Sequence, residues 1–314
     1  MRSNLTSMAR NALEHQRAAR LRLAIVHREA SKERTFVRSE SRRGGFRELG
    51  LRALAPFIPT EDRRTLFILG GGASVEKLSE SNFKEISSGF SIGINAWALH
   101  KFIPNMYSYE PVGSQYPTAD HLTTMRVLSR KDVVEAGPAI LVLRPRNEFE
   151  RSQMNQLTPE LRKNVFLYGR VTPFTRNPEN LGSELRGMAN LFSRTPNQLI
   201  LPDAGASIVR MTFLGIFMGF SEIVYVGVDL NNTKYFWEEN PSHLLQHGLT
   251  SFDSGQNSGA SLHETLSPKN RPFIVTKMLS AIVNDVAVDY GVTMSVASPE
   301  SALQSFMPLY AWDS

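Results

Sequence analysis

The stretch 65–74, Thr-Leu-Phe-Ile-Leu-Gly-Gly-Gly-Ala-Ser, constrains the fold of this 314-residue chain more than any other. Residues 66–69 form the short continuous apolar run of a strand covered on both faces. The three glycines Gly70, Gly71 and Gly72 let the backbone turn sharply and come close to a ligand with no Cβ in the way. Ser74 is placed to cap a following helix, whose free N–H groups and positive dipole end favour an anion, most often a phosphate. A tight strand-to-helix turn in any α/β protein gives the same pattern, so the turn alone does not choose between the two.

Beyond residue 65 the pattern alternates. The expected strands are 66–69, 90–94, 106–109, 139–143, 165–168, 223–228 and 292–296. Helical stretches are expected at 74–86, 119–135, 207–218 and 272–290. Seven strands alternating with helices predict an α/β domain of Rossmann type, with one mostly parallel sheet covered on both faces. Ligands in such sheets sit at the carboxyl ends of the strands. Two long polar segments, 172–197 and about 230–269, leave such ends, and the second is long enough to be a lid.

The net charge of +5 is unevenly spread. Residues 1–64 hold 15 Lys/Arg against 7 Asp/Glu, a balance of +8, which leaves −3 for the remainder. The body therefore gives no reason to expect nucleic-acid binding. Residues 1–30 read as a helix with arginines on one side and Leu13, Leu21 and Ile25 on the other. That arrangement suits an anionic membrane surface, a partner helix, or a solvated extension. Residues 39–45 read as a linker, with a short amphipathic piece at 46–57. The expected division is a basic extension over 1–62 and a catalytic domain over 63–314, and removal of about 60 residues is expected to leave folding intact. No run of about 18 apolar residues offers a membrane span. Cysteine is absent, which excludes disulfides, thiolate zinc sites and cysteine nucleophiles.

Polar residues at strand ends are where chemistry is expected: Ser74, Asn95, Glu110, Gly205, Ser207 and Asp229, with Asn231 just beyond. Ser207 is also placed to cap the helix after Asp203. His243 and His247 are four apart, but no third ligand is evident, so no metal site is expected.

Three pieces together resemble a known family: Leu-Gly-Gly-Gly-Ala-Ser-Val at 69–75, Phe-Ser-Ile-Gly-Ile-Asn at 90–95, and Met-Gly-Phe-Ser-Glu-Ile-Val-Tyr-Val-Gly-Val-Asp-Leu at 218–230. The chain looks like the bacterial sialyltransferases of glycosyltransferase family 42 and the related CMP-nonulosonic-acid and Kdo transferases. Residues 298–306 also look like that family's closing segment. The resemblance spans about 66–309. It implies a single GT-A-like domain and a metal-independent transfer from a CMP-sugar donor, with no cofactor, to a cell-surface glycan acceptor. A cytoplasmic location is expected, peripheral at the inner face of the bacterial membrane where residues 1–60 meet an anionic surface, and a homo-oligomer is allowed. Family roles fall on Gly70, Gly72 and Ser74 at the phosphate turn, Asn95 and Gly205 beside the nucleotide, and Asp229 at the strand end. Tyr235 is the implied phosphate partner and His263 the implied lid base.

This sequence departs from the family at Gly71, Ala73, Glu110 and Asn231. Glu110 stands where an amide is usual, so it is also a candidate nucleophile for a retaining, Kdo-type transfer. A nucleotide- or glycan-binding scaffold without catalysis is the third reading.

Overall fold

A computed structural model describes residues 2–58, 64–111, 118–231, 234–252, 266 and 273–312, with 2–15 and 118–122 as backbone only. The strands are β1 (Arg47–Glu48), β2 (Thr65–Leu69), β3 (Phe90–Ile94), β4 (Met106–Tyr109), β5 (Ala139–Leu143), β6 (Val165–Val171), β7 (Ile200–Pro202), β8 (Glu222–Val226) and β9 (Thr293–Val296). They form one sheet in the order β1-β6-β5-β4-β3-β2-β8-β9, with β7 also on β6. Every strand pair is parallel. Among the described residues the sheet thus has nine strands, not the seven expected; β1 and β7 span two and three residues, too few to show a period.

The parallel order explains the apolar strands. Leu66 and Ile68 enter one core while Phe67 and Leu69 enter the other, so each face of β2 is buried. Helices α1 (Arg2–Gly44), α2 (Glu80–Ser88), α3 (Leu181–Ser193) and α4 (Ser207–Met218) supply the covering layers, with a last helical run over 275–290. That last run contains a π-helical stretch, Ile282–Ala287.

Two helical expectations are corrected. The stretch 74–86 divides into a 3₁₀ turn, Ala73–Lys77, and α2. Ser79, not Ser74, caps α2 through a reciprocal box with Asn82. The stretch 119–135 divides into Thr118–Leu128 and Lys131–Ala136.

The N-terminal region differs most from expectation. Residues 39–45 are not a linker, because α1 runs through to Gly44. Val26, Ala30 and Val37 of α1 are fully buried. Glu33 accepts two hydrogen bonds from Arg144, each 2.8 Å, and Glu40 accepts one of 2.8 Å from Arg151. Small residues let the helix come near: a Cβ on Gly187 of α3 would lie 2.6 Å from the Leu23 Cδ2 atom. The second half of the basic extension is therefore packed on the parallel sheet.

Candidate active site

The strand order reverses around β2, which lies between β3 and β8. The crevice at such a reversal is where open parallel sheets take ligands. Two connections meet there, the glycine turn after β2 and the segment after β8. The Gly70 amide donates to the Val226 carbonyl and the Gly72 amide to the Gly227 carbonyl, each at 2.7 Å. A Cβ on Gly70 would sit 2.6 Å from the Gly227 oxygen, and one on Gly72 would sit 2.5 Å from Asp229 Oδ2. Close backbone packing is thus the immediate reason for glycine at both positions.

Asp229 binds the same turn from the other side. Its Oδ2 accepts from the Ser74 amide at 3.0 Å and its Oδ1 from the Ser74 hydroxyl at 2.5 Å. Ser74 is 5% exposed and Asp229 3%, so this carboxylate occupies the start of the 3₁₀ turn. The amides of Gly70, Gly72 and Ser74 are committed within the fold, and a phosphate near this turn would be held by other groups. The Asp229 carbonyl accepts from the amides of Asn231 and Ala302, each at 2.8 Å. Leu230 between them has φ +61°, a conformation rare for a branched residue. Asn231 donates its side-chain amide to the Glu300 carbonyl, so it ties down the closing segment.

Next to this region a second group gathers at the carboxyl ends of β3, β4, β6 and β7. Asn95 has φ +52°, and its Oδ1 accepts from the Ser207 hydroxyl at 3.2 Å. Ser207 does not cap α4; that position is Ala206, whose amide donates to Asp203 Oδ1 at 3.3 Å. Gly205 turns the chain there with φ +75°. Arg210, fully buried, donates to Asp203 at 2.6 Å, Glu110 at 2.5 Å, Ser207 at 2.9 Å and the Tyr168 hydroxyl at 3.3 Å. Arg170 lies 3.0 Å from Glu110 and 3.1 Å from Asp203.

Two guanidiniums therefore balance two carboxylates. Burial disfavours the charge on Asp203, yet Arg210 and Arg170 outweigh it and hold the carboxyl below its usual range. Burial likewise opposes charge on Arg210, and Asp203 and Glu110 outweigh it. Only Glu110 and Arg170, at 29% and 28% side-chain exposure, open this network to solvent. The sequence pointed to Asn95, Glu110, Gly205 and Ser207 but not to Arg170, Asp203 or Arg210 as their partners. A lone arginine inside an otherwise apolar helix was the available signal, since such a charge is seldom buried unpaired.

The described part of the expected lid, residues 234–252, packs on the glycine turn. Tyr235 forms an antiparallel bridge with Gly72, and the Phe236 amide donates to the Gly71 carbonyl at 3.0 Å. The Tyr235 ring stacks on Trp237 with centroids 4.4 Å apart and planes 5° apart. A Cβ on Gly71 would sit 3.1 Å from the Trp237 ring and 3.2 Å from that of Tyr235. His263 lies outside the described residues.

His243 and His247 do not share a site. His243 Nε2 lies 2.6 Å from Glu76, whereas His247 Nε2 lies 3.1 Å from the Leu99 carbonyl. Asn240 also donates to Glu76 at 2.8 Å. Glu76, His100 and His243 bring ligand-capable atoms within 4.8 Å of one another, a constellation the sequence spacing concealed. Its geometry does not suit a metal. His100 Nδ1 accepts from the Phe102 amide at 3.0 Å, which leaves the neutral ring's proton on Nε2. The His100 and His243 rings stack at 4.9 Å and 28°, so their in-plane lone pairs do not converge. The cluster instead clamps the first lid helices onto the turn.

His100 also makes stability pH-dependent. Burial, with His243, Lys101 and Arg130 nearby, pushes its pKa down to about 3. The fold holds it neutral, while the unfolded chain takes up a proton below about pH 6.5. Stability from this group is complete above that pH and is lost as pH falls toward about 3. By pH 4.5 the loss amounts to about 2–3 kcal/mol. Asn at this position keeps an acceptor for the Phe102 amide and does not titrate. Urea unfolding at pH 7.5 and 4.5 is expected to show His100→Asn losing about 2–3 kcal/mol less than the native chain. Parallel pH profiles would show that His100 does not carry the effect.

A cleft of about 260 Å³ lies beside the turn, between Ser74, Lys77, Asn82, Gly227, Ser298 and Trp312 among others. Lys77 is paired with Glu300 at its rim.

No family model matches the chain, and no curated protein matches it. Among solved structures, it is similar to the monofunctional α-2,3-sialyltransferase Cst-I from Campylobacter jejuni, with a TM-score of 0.44 and 12% identity over 82% of this chain and 84% of that one.

Proposed function

We propose that the chain is a sialyltransferase-like glycosyltransferase that moves a nonulosonic acid from a CMP-sugar to a glycan acceptor. The observation that carries this reading is convergence. Asn95, Glu110, Asp229 and the Gly205–Ser207 pair come from four separate segments, and all stand at the carboxyl edge of the parallel sheet. Tyr235, from the lid, bridges onto the glycine turn at the same edge.

In this reading the domain is GT-A-like and the cytidylate lies beside Asn95, Gly205 and Ser207. Asp229 fixes the glycine turn, and the Tyr235 hydroxyl donates to the departing phosphate as negative charge grows on it, with no metal required. His263 accepts the proton of the attacking hydroxyl, a task suited to a group with an ordinary pKa near 6.5. Transfer is inverting. Glu110 is a poor nucleophile, because Arg170 engages one of its oxygens and Arg210 the other.

Thermal shift with CMP, CDP, UDP and GDP tests the donor. CMP alone is expected to stabilise the chain, by about 2.7 kcal/mol at 100 times its Kd. Stabilisation by UDP alone, or by none of the four, overturns the reading. His263→Ala is expected to bind CMP normally and to lower CMP release from CMP-sialic acid at least roughly 100-fold. An unchanged rate removes His263 from the reaction. CMP binding without release from the native chain would mark a non-catalytic scaffold, and the product anomer, read by NMR, separates inversion from retention.

A further inference from the structure

The outer face of α1 carries a row of cations that the fold does not use. Arg17, Arg20, Arg28 and Arg42 are exposed, and among the described residues none has an ion-pair partner. At 1.5 Å per residue the row extends about 37 Å along the helix. On a 100° helical projection these four lie within about 80° of one another, opposite Val26 and Val37. The acidic side chains described on the helix are turned away from this face. Glu33 and Glu40 are held by Arg144 and Arg151, and Glu29 pairs with Lys32 at 2.7 Å. Among the described residues of α1, no exposed one is acidic. One large apolar side chain, Leu21 at 64% exposure, projects beside this row, whereas Phe36 lies about 120° round from its centre with the Arg144 guanidinium over its ring.

We infer that this face docks on an anionic phospholipid surface. Charge complementarity supplies the attraction, on the order of 1 kcal/mol per basic residue near such a surface. Leu21 is what favours a bilayer over a nucleic acid. Apolar side chains gain by entering the headgroup boundary, whereas a phosphate backbone contacts the arginines alone. The helix lies on the membrane, since among the described residues no helix is long and apolar enough to cross it. Its inner face is already fixed by Val26, Val37 and the Glu33–Arg144 pair, so docking requires little further ordering. This inference stands apart from the proposed transferase chemistry.

Flotation of the full chain with vesicles tests it. Binding is expected to phosphatidylcholine vesicles containing about a third phosphatidylglycerol, not to phosphatidylcholine alone, and is expected to weaken as salt rises. Changing Arg17, Arg20, Arg28 and Arg42 together to Gln is expected to weaken binding about 100-fold or more. Leu21→Ser is expected to weaken vesicle binding while leaving any retention on duplex DNA unchanged. Circular dichroism should be unaltered in both variants, because all five side chains are exposed. Failure of the native chain to bind anionic vesicles overturns the inference, as does duplex DNA binding that outcompetes vesicles.

Discussion

A chain that begins at Gly45 is expected not to fold cooperatively. Removal of α1 uncovers the layer that Val26, Ala30 and Val37 complete, all three fully buried. Each of the two valines contributes roughly 1.5–3 kcal/mol. Arg144 would then keep its charge but lose Glu33, at a site where its side chain is only 17% exposed, and Arg151 would lose Glu40 and keep only the exposed Glu148. Stranding a partly buried charge removes the compensation for its desolvation. Together these losses reach or exceed about 5 kcal/mol, the lower end of what a typical domain has in total. Insoluble product, or soluble product with no cooperative urea transition, is the expected result. A soluble 45–314 chain with an unchanged midpoint would show that the helix is an appendage.

The same helix shows where sequence reading stops. Val26, Ala30, Val37 and Ser41 recur at spacings of 4, 7 and 4, a buried helical stripe within a highly basic segment. Composition drew attention to the arginines and hid the stripe, and the partners of Glu33 and Glu40 lie 111 residues away. The strands β3, β4 and β5 were legible to the residue because each is a short, mostly apolar run closed by a polar residue. Helix α4 was legible for the same reason. The glycine turn was located, but its meaning was not: the room left by Gly70 and Gly72 is taken by Gly227 and Asp229. No spacing along one chain reveals that two turns 155 residues apart meet. Strand-end polar residues were found because a parallel sheet gathers them at one edge, while the arginines that neutralise them come from within β6 and α4.

Asp203→Asn is expected to destabilise the chain by about 3–5 kcal/mol, the effect of removing one partner from a buried ion pair. The substitution keeps the shape of the side chain and removes its charge. Two guanidiniums, Arg210 and Arg170, then share the single carboxylate of Glu110. Arg210 cannot turn outward to water, because its side chain is fully buried and anchored on Tyr168 and Ser207 as well. Losing both members should therefore harm less than the sum of losing each. Asp203→Asn with Arg210→Met is expected to recover about 1–3 kcal/mol relative to additivity in a double-mutant cycle read by urea unfolding. Additive values, or an Asp203→Asn chain within about 0.5 kcal/mol of native, would show that the charges are not coupled. The outcome bears on chemistry as well as stability. If Glu110 is needed to neutralise Arg210, it is committed as an anion with each oxygen engaged, and inversion with a separate proton acceptor is the route left open at this edge of the sheet.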